Sequence, residues 1–345
     1  MKETYLKKVP QRILVVRTDR IGDVVLSLPV VDNLKRAFPE ARVCFMCSPL
    51  TQDIVLNYPG VDEVIVFDKK KRHKGFFGLL SLAFAIRRKK FDWAVILHAT
   101  NSVNSVVFLS GIPLRAGWAR KMRWLLNKPL PYAKNKGEMH ERDYNLEVLK
   151  VLGVPVVTRD VSVHASKTAE ENMKQRLIES GVSENDLLVG IHPLSSCPSK
   201  MWPRARFETL ALRLIQDYGA KIVVIGGEKL SFSLEPSVQD MVINFSGLIS
   251  IDELVALIPH CRVLVSNDSG PVHIAAGVGI PCVVIFGRKQ KGLSPRRWGP
   301  LGEHDKVIIK DAGCVECLAH RCTREFLCLR SIPVEEVLIT VKPFL

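Results

Sequence analysis

At 345 residues the chain exceeds one ordinary hydrophobic core and suits two domains. Hydrophobic residues at 47% and charged residues at 24% exclude a disordered chain. The formal net charge of +14 points to polyanionic partners. No zinc-finger or RNA-recognition signature is present, so nucleic acid ranks behind acidic membrane and phosphorylated small molecules. The opening MKETYLKKVP holds no apolar stretch resembling a signal peptide, and no run of about 18 apolar residues occurs. The expected location is cytoplasmic.

In chain order, the first apolar run is RILVVRTDRIGDVVLSLPVV, residues 12–31. It predicts a strand over 12–17 and a helix over 23–37. Between them Arg17, Asp19, Arg20 and Asp23 surround Gly22, more charge than a connecting loop needs. Strands are expected at 41–47, 62–67 and 93–98, with a helix over 76–89. The second half repeats the plan, with strands near 187–192, 221–226, 262–267 and 281–286. This alternation predicts α/β architecture, with parallel sheets covered by helices on both faces. The polar stretch 155–186, with its helical patch KTAEENMKQRLIESG, is the expected connection. The organisation expected is a Rossmann-like domain over 1–165, a linker over 166–186 and a second Rossmann-like domain over 187–330. A final helix, 331–345, is placed to pack back on the N-terminal domain.

Two doubly wound domains facing each other make a cleft, and their ligands bind beyond the carboxyl ends of the strands. Neither half carries Gly-x-Gly-x-x-Gly after its first strand, and GVGIPC (277–282) leads into a strand, which disfavours a dehydrogenase. In VLVSNDSGPVHIAAGVGIP (263–281) a strand ends at Asn267 and a helix opens with Pro271. Asp268, Ser269 and Gly270 there put a hydroxyl and unhindered N–H groups at the positive helix end, suited to pyrophosphate. Helix capping is the plain alternative. His273, in the first turn, adds a second polar group. In GIHPLSSCPSKMWPRARF (190–207), Ser195, Ser196 and Lys200 can bind and neutralise phosphates, against the plain alternative of a solvated surface loop. Two such loops in one half favour a nucleotide diphosphate. Glu228, in VVIGGEKL (223–230), is a candidate for ribose hydroxyls.

Nine cysteines in a chain expected in the cytoplasm argue against a disulfide framework. Cys44 and Cys47, three apart on one strand, point to opposite faces, and Cys261 and Cys282 belong to apolar runs. Cys314, Cys317, Cys322 and Cys328 have ligand-like spacing for zinc or an iron–sulfur cluster. The helical leaning of 316–328, without a glycine knuckle, favours reduced structural thiols instead. The segment DKKKRHKGFFGLLSLAFAIRRKKFDW (68–93) brackets twelve largely apolar residues with basic clusters. It is too short to span a bilayer. It suits a covering helix with a solvated rim, and it also suits an anionic lipid surface.

RTDRIGDVVLSLPVVDNLKRAFPEARV, NDSGPVHIAAGVGIPCVVIFG and the Ser-Ser-x-x-x-Lys-x-Trp-Pro loop together resemble the ADP-heptose:lipopolysaccharide heptosyltransferases, glycosyltransferase family 9. NSVNSVVFLSGIPLRAGW (101–118) is similar to the heptosyltransferase II branch. The resemblance implies a GT-B fold, ADP-heptose as donor substrate, inversion at the anomeric carbon, and no cofactor or metal requirement. It implies Asp23 as general base, with Gly22 allowing close approach of the acceptor. A helix start favours the carboxylate form of Asp23 and so weakens it as a base, a tension the sequence leaves open. Lys200 and the helix opening near Pro271 then stabilise the leaving ADP. The acceptor implied is an anionic lipid A–Kdo or heptosyl-Kdo-lipid A, on the cytoplasmic face of the inner membrane. Arg20, Arg115, Arg120 and Lys121 are candidates to meet it. His140 resembles a family position near the acceptor, with a helix-start histidine as the alternative. The family often follows its last strand with Phe-Gly-Pro-Thr, where this chain has FGRKQKGLSPRRWGP. Three rival functions are a family 9 transferase for another sugar nucleotide, a GT-B-like nucleotide-sugar epimerase, and a non-catalytic nucleotide- or membrane-binding relative.

Overall fold

The computed structural model describes residues 9–345; the start of the chain, on which the leader expectation rests, lies outside the described residues over 1–8. The chain divides into two compact units. Unit 1 holds the chain up to Asn135 with Met139–Ser162, and unit 2 holds Lys136–Glu138 with Val163–Leu345.

The sheet of unit 1 comprises β1 (Arg12–Val16), β2 (Arg42–Cys47), β3 (Glu63–Val66), β4 (Trp93–Ile96), β5 (Leu114–Trp118) and β6 (Lys128–Leu130). All pairings are parallel, in the order β3-β2-β1-β4-β5-β6. Its helices are α1 (Ile21–Val25), α2 (Leu28–Ala37), α3 (Gln52–Leu56), α4 (Gly75–Arg88), α5 (Asn101–Leu109) and α6 (Glu141–Lys150). The single helix expected over 23–37 is two, because Pro29 lacks an N–H and is accommodated only in the first turn of α2. Leu14, Val16, Met46 and Ile96 of the sheet pack against Leu82 and Ile86 of α4 and Val103 and Val106 of α5. Cys44 joins that cluster, while Cys47 is buried one pleat away.

Unit 2 comprises β7 (Leu188–His192), β8 (Lys221–Val224), β9 (Val242–Asn244), β10 (Val263–Asn267), β11 (Cys282–Phe286) and β12 (Lys306–Ile309). The order β12-β11-β10-β7-β8-β9, counted from its own first strand, is that of unit 1. Its helices are α7 (Lys167–Glu179), α8 (Arg204–Tyr218), α9 (Ile251–Leu257), α10 (Gly270–Val278), α11 (Pro295–Trp298), α12 (Leu327–Arg330) and α13 (Val334–Val341). The direction in which successive strands are added reverses between β1 and β4 in one sheet and between β7 and β10 in the other. These are the switch points where doubly wound sheets bind ligands.

Two expectations about boundaries change. The expected linker contains α7, which is integral to unit 2: Ala169, Met173 and Leu177 are buried. Ser166 donates to Asp252 at 2.6 Å and Arg176 to Glu253 at 2.9 Å, ties to α9. The final helix shares the core of unit 2, so the second domain, expected to close at 330, runs on through it. Val337, Leu338 and Val341 of α13 share a core with Leu210 and Leu214 of α8, and Trp202 donates its indole N–H to the Ile332 carbonyl at 3.0 Å.

Asn33, buried in α2, pins the last segment of unit 1. Its amide nitrogen donates to Pro29 and Thr158 carbonyls at 2.7 and 2.8 Å, and its oxygen accepts from the N–H groups of Val157 and Thr158 at 2.6 and 3.1 Å. Asn33→Ala strands those backbone groups and is expected to cost about 2–3 kcal/mol of stability in urea unfolding.

Candidate functional site

In unit 1 the chemistry-bearing side chains gather where β1 ends. Arg17 is 3% exposed, and its guanidinium spends each nitrogen on a partner. Nε donates to Asp19 at 2.7 Å, Nη1 to Glu141 and Asn145 at 2.9 Å each, and Nη2 to Asp23. Lys134 joins from the other side, donating to Glu141 at 2.6 Å and Asn145 at 2.9 Å. Asn145 in turn donates to the Leu26 carbonyl at 3.0 Å and to Ser27 at 3.1 Å, locking α6 to the α1–α2 junction. Two cations thus face three carboxylates.

Asp23 lies in the first turn of α1. Burial, and then the neighbouring Asp19 carboxylate, push its pKa up to about 7, against the opposing pull of Arg17. The arginine's charge is divided among three carboxylates, so its hold on any one is partial. The helix-start tension therefore resolves towards a stronger base. His98, at the end of β4, is pushed down to about 4, chiefly by burial and by Arg17. It is neutral at pH 7, so its 3.6 Å approach to Asp19 is not an ion pair.

Unit 2 gathers its polar groups at the ends of β7, β10 and β11. Asn267, the last residue of β10, pins both ends of the loop after β7, accepting from Trp202 N–H at 2.9 Å and donating to the Pro193 carbonyl at 2.7 Å. Asp268 stands between two buried cations: Arg288 reaches its carboxylate at 2.5 Å and Lys200 at 3.2 Å. Lys200 and Ser195 also donate to the Asp268 carbonyl, at 3.2 and 3.1 Å. Burial lowers the Lys200 pKa, with the Asp268 charge opposing. Among the described residues Arg288 Nε is buried without a hydrogen-bond partner, capacity to spare beside an already cationic group. Ser269 sits at the N-cap of α10, yet its side chain makes no cap bond. It pairs instead with His192 at 2.9 Å and Ser266 at 3.0 Å, leaving the first N–H groups of α10 to other partners. His192 is pushed down to about 4 by burial and bonds as a neutral ring. Gly270 opens α10 and His273 is buried in its first turn. Ser196 and Glu228 are exposed, in the loops after β7 and β8.

The cysteine-rich segment buttresses this end of the sheet. Cys328 donates to the Gly287 carbonyl at 3.2 Å, and His320 hydrogen-bonds Ser199 at 3.0 Å. A Cβ on Gly287 would lie 2.7 Å from the Ser199 carbonyl and 2.6 Å from Leu329, so glycine lets the Lys200 and Arg288 loops close on each other. Among the described residues no three His, Cys, Asp or Glu side chains converge as metal ligands, the cysteine quartet included.

The expected acceptor group scatters. Arg115 lies near the N-terminal end of β5, whereas Asp23 follows the C-terminal end of β1. Arg115 Nε donates to the Leu125 carbonyl at 2.7 Å and its Nη1 to the Ile112 carbonyl at 2.5 Å, with its guanidinium over Phe108. Gly22 is buried within α1. His140 caps α6, accepting from Arg142 N–H at 3.2 Å, which is the alternative use of a helix-start histidine. Arg20, Arg120 and Lys121 are exposed beyond the C-terminal ends of β1 and β5. Glu141, Asn145, Lys134 and His98 were not anticipated. The signal available was Glu141 and Asn145, i and i+4 on the inner face of α6.

The family model for glycosyltransferase family 9 (heptosyltransferase) matches residues 79–327. Lipopolysaccharide heptosyltransferase 2 of Escherichia coli K12 is 26% identical over 310 residues, covering 86% of this chain and 87% of that one. A family 9 glycosyl transferase from Veillonella parvula has the same fold, with a TM-score of 0.80, 24% identity and 97% of each chain covered. The E. coli ADP-heptose heptosyltransferase II structure superposes with a TM-score of 0.77, 24% identity, and 96% and 98% covered. The two doubly wound units are the GT-B architecture that the sequence motifs led one to expect. With more than half its length matched by the family model, the chain belongs to glycosyltransferase family 9, the heptosyltransferases.

Proposed function

We propose that the protein transfers heptose from ADP-heptose, with inversion, to a hydroxyl of a Kdo- or heptosyl-Kdo-lipid A acceptor in the lipopolysaccharide inner core. It works at the cytoplasmic face of the inner membrane. The observation that carries the reading is Asp23, a carboxylate whose pKa near 7 makes it half ionised at neutral pH and a fit general base. In the reaction proposed, Asp23 takes the acceptor hydroxyl proton as that oxygen bonds to the anomeric carbon. The bond from that carbon to the diphosphate breaks, and its electron pair leaves on the β-phosphate oxygen.

Lys200 and Arg288, with the N–H groups opening α10, are the groups suited to receive that charge. They are buried and already positioned, so they need little reorganisation as charge develops. Protein cations fill the place a divalent ion takes in other phosphate chemistry, so the reading requires no metal. Arg288 stands where the family commonly has proline. This donor site therefore carries a cation beyond the lysine its motif supplies.

ADP release from ADP-heptose with either acceptor tests the proposal; binding of another sugar nucleotide in place of ADP-heptose overturns the donor assignment. Asp23→Asn is expected to lower kcat roughly a hundredfold to ten-thousandfold with ADP affinity unchanged. Since Asp23 acts as the anion, turnover in the wild type should rise with pH through about 7 and fall roughly tenfold per pH unit below it. Lys200→Met and Arg288→Met should each weaken ADP binding by roughly tenfold or more in calorimetry, each removing one charge-assisted contact.

A further inference from the structure

We infer that the outer face of α4 docks unit 1 on an anionic phospholipid bilayer. This 14-residue helix is about 21 Å long. Leu82, Ala83 and Ile86 bury one side of it in the core of unit 1. On the other side Phe77, Ser81, Phe84 and Ala85 are exposed, and Phe76 beside them is exposed too. Phe77 is 84% exposed, Phe76 68% and Phe84 62%. A covering helix that faces water carries Lys and Glu there. The neighbouring α5 continues the apolar surface with Phe108 and Leu109, and Trp124 stands 6.5 Å from Phe108, ring to ring.

Charge selects the occupant. Between Asp68 and Asp92 the chain has nine Lys and Arg residues and no Asp or Glu: Lys69–Arg72 and Lys74 before the helix, Arg87–Lys90 at its end. Apolar side chains framed by cations match the layering of an anionic membrane surface, headgroup phosphates outside and acyl chains beneath. A second copy fits poorly, because a two-fold contact sets the same patch against itself and opposes the two basic frames. Among the described residues no helix is long and apolar enough to span a bilayer, so α4 lies in the interface.

The placement also serves the reading above, on which its functional meaning rests. The basic loop follows β3 and the Asp23 turn follows β1, on the same edge of one sheet. They are two strand spacings apart, about 10 Å. Docking through α4 holds that edge at the surface where a lipid-borne hydroxyl is presented.

Vesicle flotation without either substrate tests the inference independently of the transfer reaction. Wild-type protein should float with phosphatidylethanolamine–phosphatidylglycerol vesicles and not with phosphatidylcholine vesicles. Phe77→Ser with Phe84→Ser should reduce the bound fraction coefficient roughly tenfold or more. Lys69→Gln with Lys70→Gln and Lys71→Gln, all exposed, should do so too, and 0.5 M salt should mimic the latter. Unchanged ADP binding confirms that the variants are folded, and the lysine variant carries the test if the phenylalanine variant is not. Equal binding to neutral vesicles, no binding to anionic ones, or undiminished binding of the folded variants overturns it. So does light scattering in which the phenylalanine variant converts an oligomer to a monomer, since that assigns the face to a second copy.

Discussion

The candidate base depends on one buried guanidinium. Arg17 leaves the end of β1 almost fully enclosed and reaches Asp19, Asp23 and Glu141 together. Removing a charge from water costs several kcal/mol, and only satisfied partners offset it. Arginine suits this position because its fork offers five donors in fixed directions and stays charged. Lysine there would supply a single point and could not span carboxylates on β1's loop, α1 and α6. The same economy explains Asp23. With three carboxylates against Arg17 and Lys134, one negative charge is left over, and burial beside Asp19 and Glu141 raises the Asp23 pKa. The network keeps the carboxylate in place while leaving it free to exchange a proton near neutrality.

The second unit uses the same strand order and the same switch position with the opposite surplus. Asp268 faces Lys200 and Arg288, so one carboxylate meets two cations, and one positive charge is left over beside the start of α10. A leftover negative charge suits proton abstraction, and a leftover positive one suits an anionic ligand. One topology thus carries both halves of the proposed chemistry, because loops at the strand ends, not the sheets, set the charge.

The fold was legible where strands are central. β1, β4, β7 and β10 are runs of buried, mostly apolar residues, as parallel strands covered on both faces are expected to be. The strands that sequence patterning missed are outer or short. β5 carries Arg115 and Gly117, β6 is Lys-Pro-Leu, and β9 and β12 each hold three or four residues with polar members. The connection at 155–186 misled because α7 has only a few buried positions. Its attachment is largely through polar side chains, Ser166 and Arg176 to α9, which periodicity does not register. Within the site, Asp23, Lys200 and Asp268 stand in local motifs and could be found from them. Glu141 and Asn145 lie more than 120 residues from Arg17, and only the folded chain brings them to it. Arg115 shows the reverse case, a cation in a promising stretch with two of its nitrogens bonded to nearby backbone carbonyls, which the sequence does not register.

The Asp23 question is decided by magnitudes. A helix N-terminus favours a carboxylate by about 0.3–1 kcal/mol at an exposed site. Raising a carboxyl from 3.8 to about 7 corresponds to roughly 4 kcal/mol in the other direction. Burial and two neighbouring carboxylates therefore outweigh both the short α1 and the share of Arg17 that Asp23 receives. The helix start still has a use, which is geometric. It turns the chain just after β1, so that a side chain in its first turn stands at the edge of the sheet beside α6. Geometry brings Asp23 to the site, and desolvation makes it a base once there. A cap residue on an exposed helix would have the first property and lack the second.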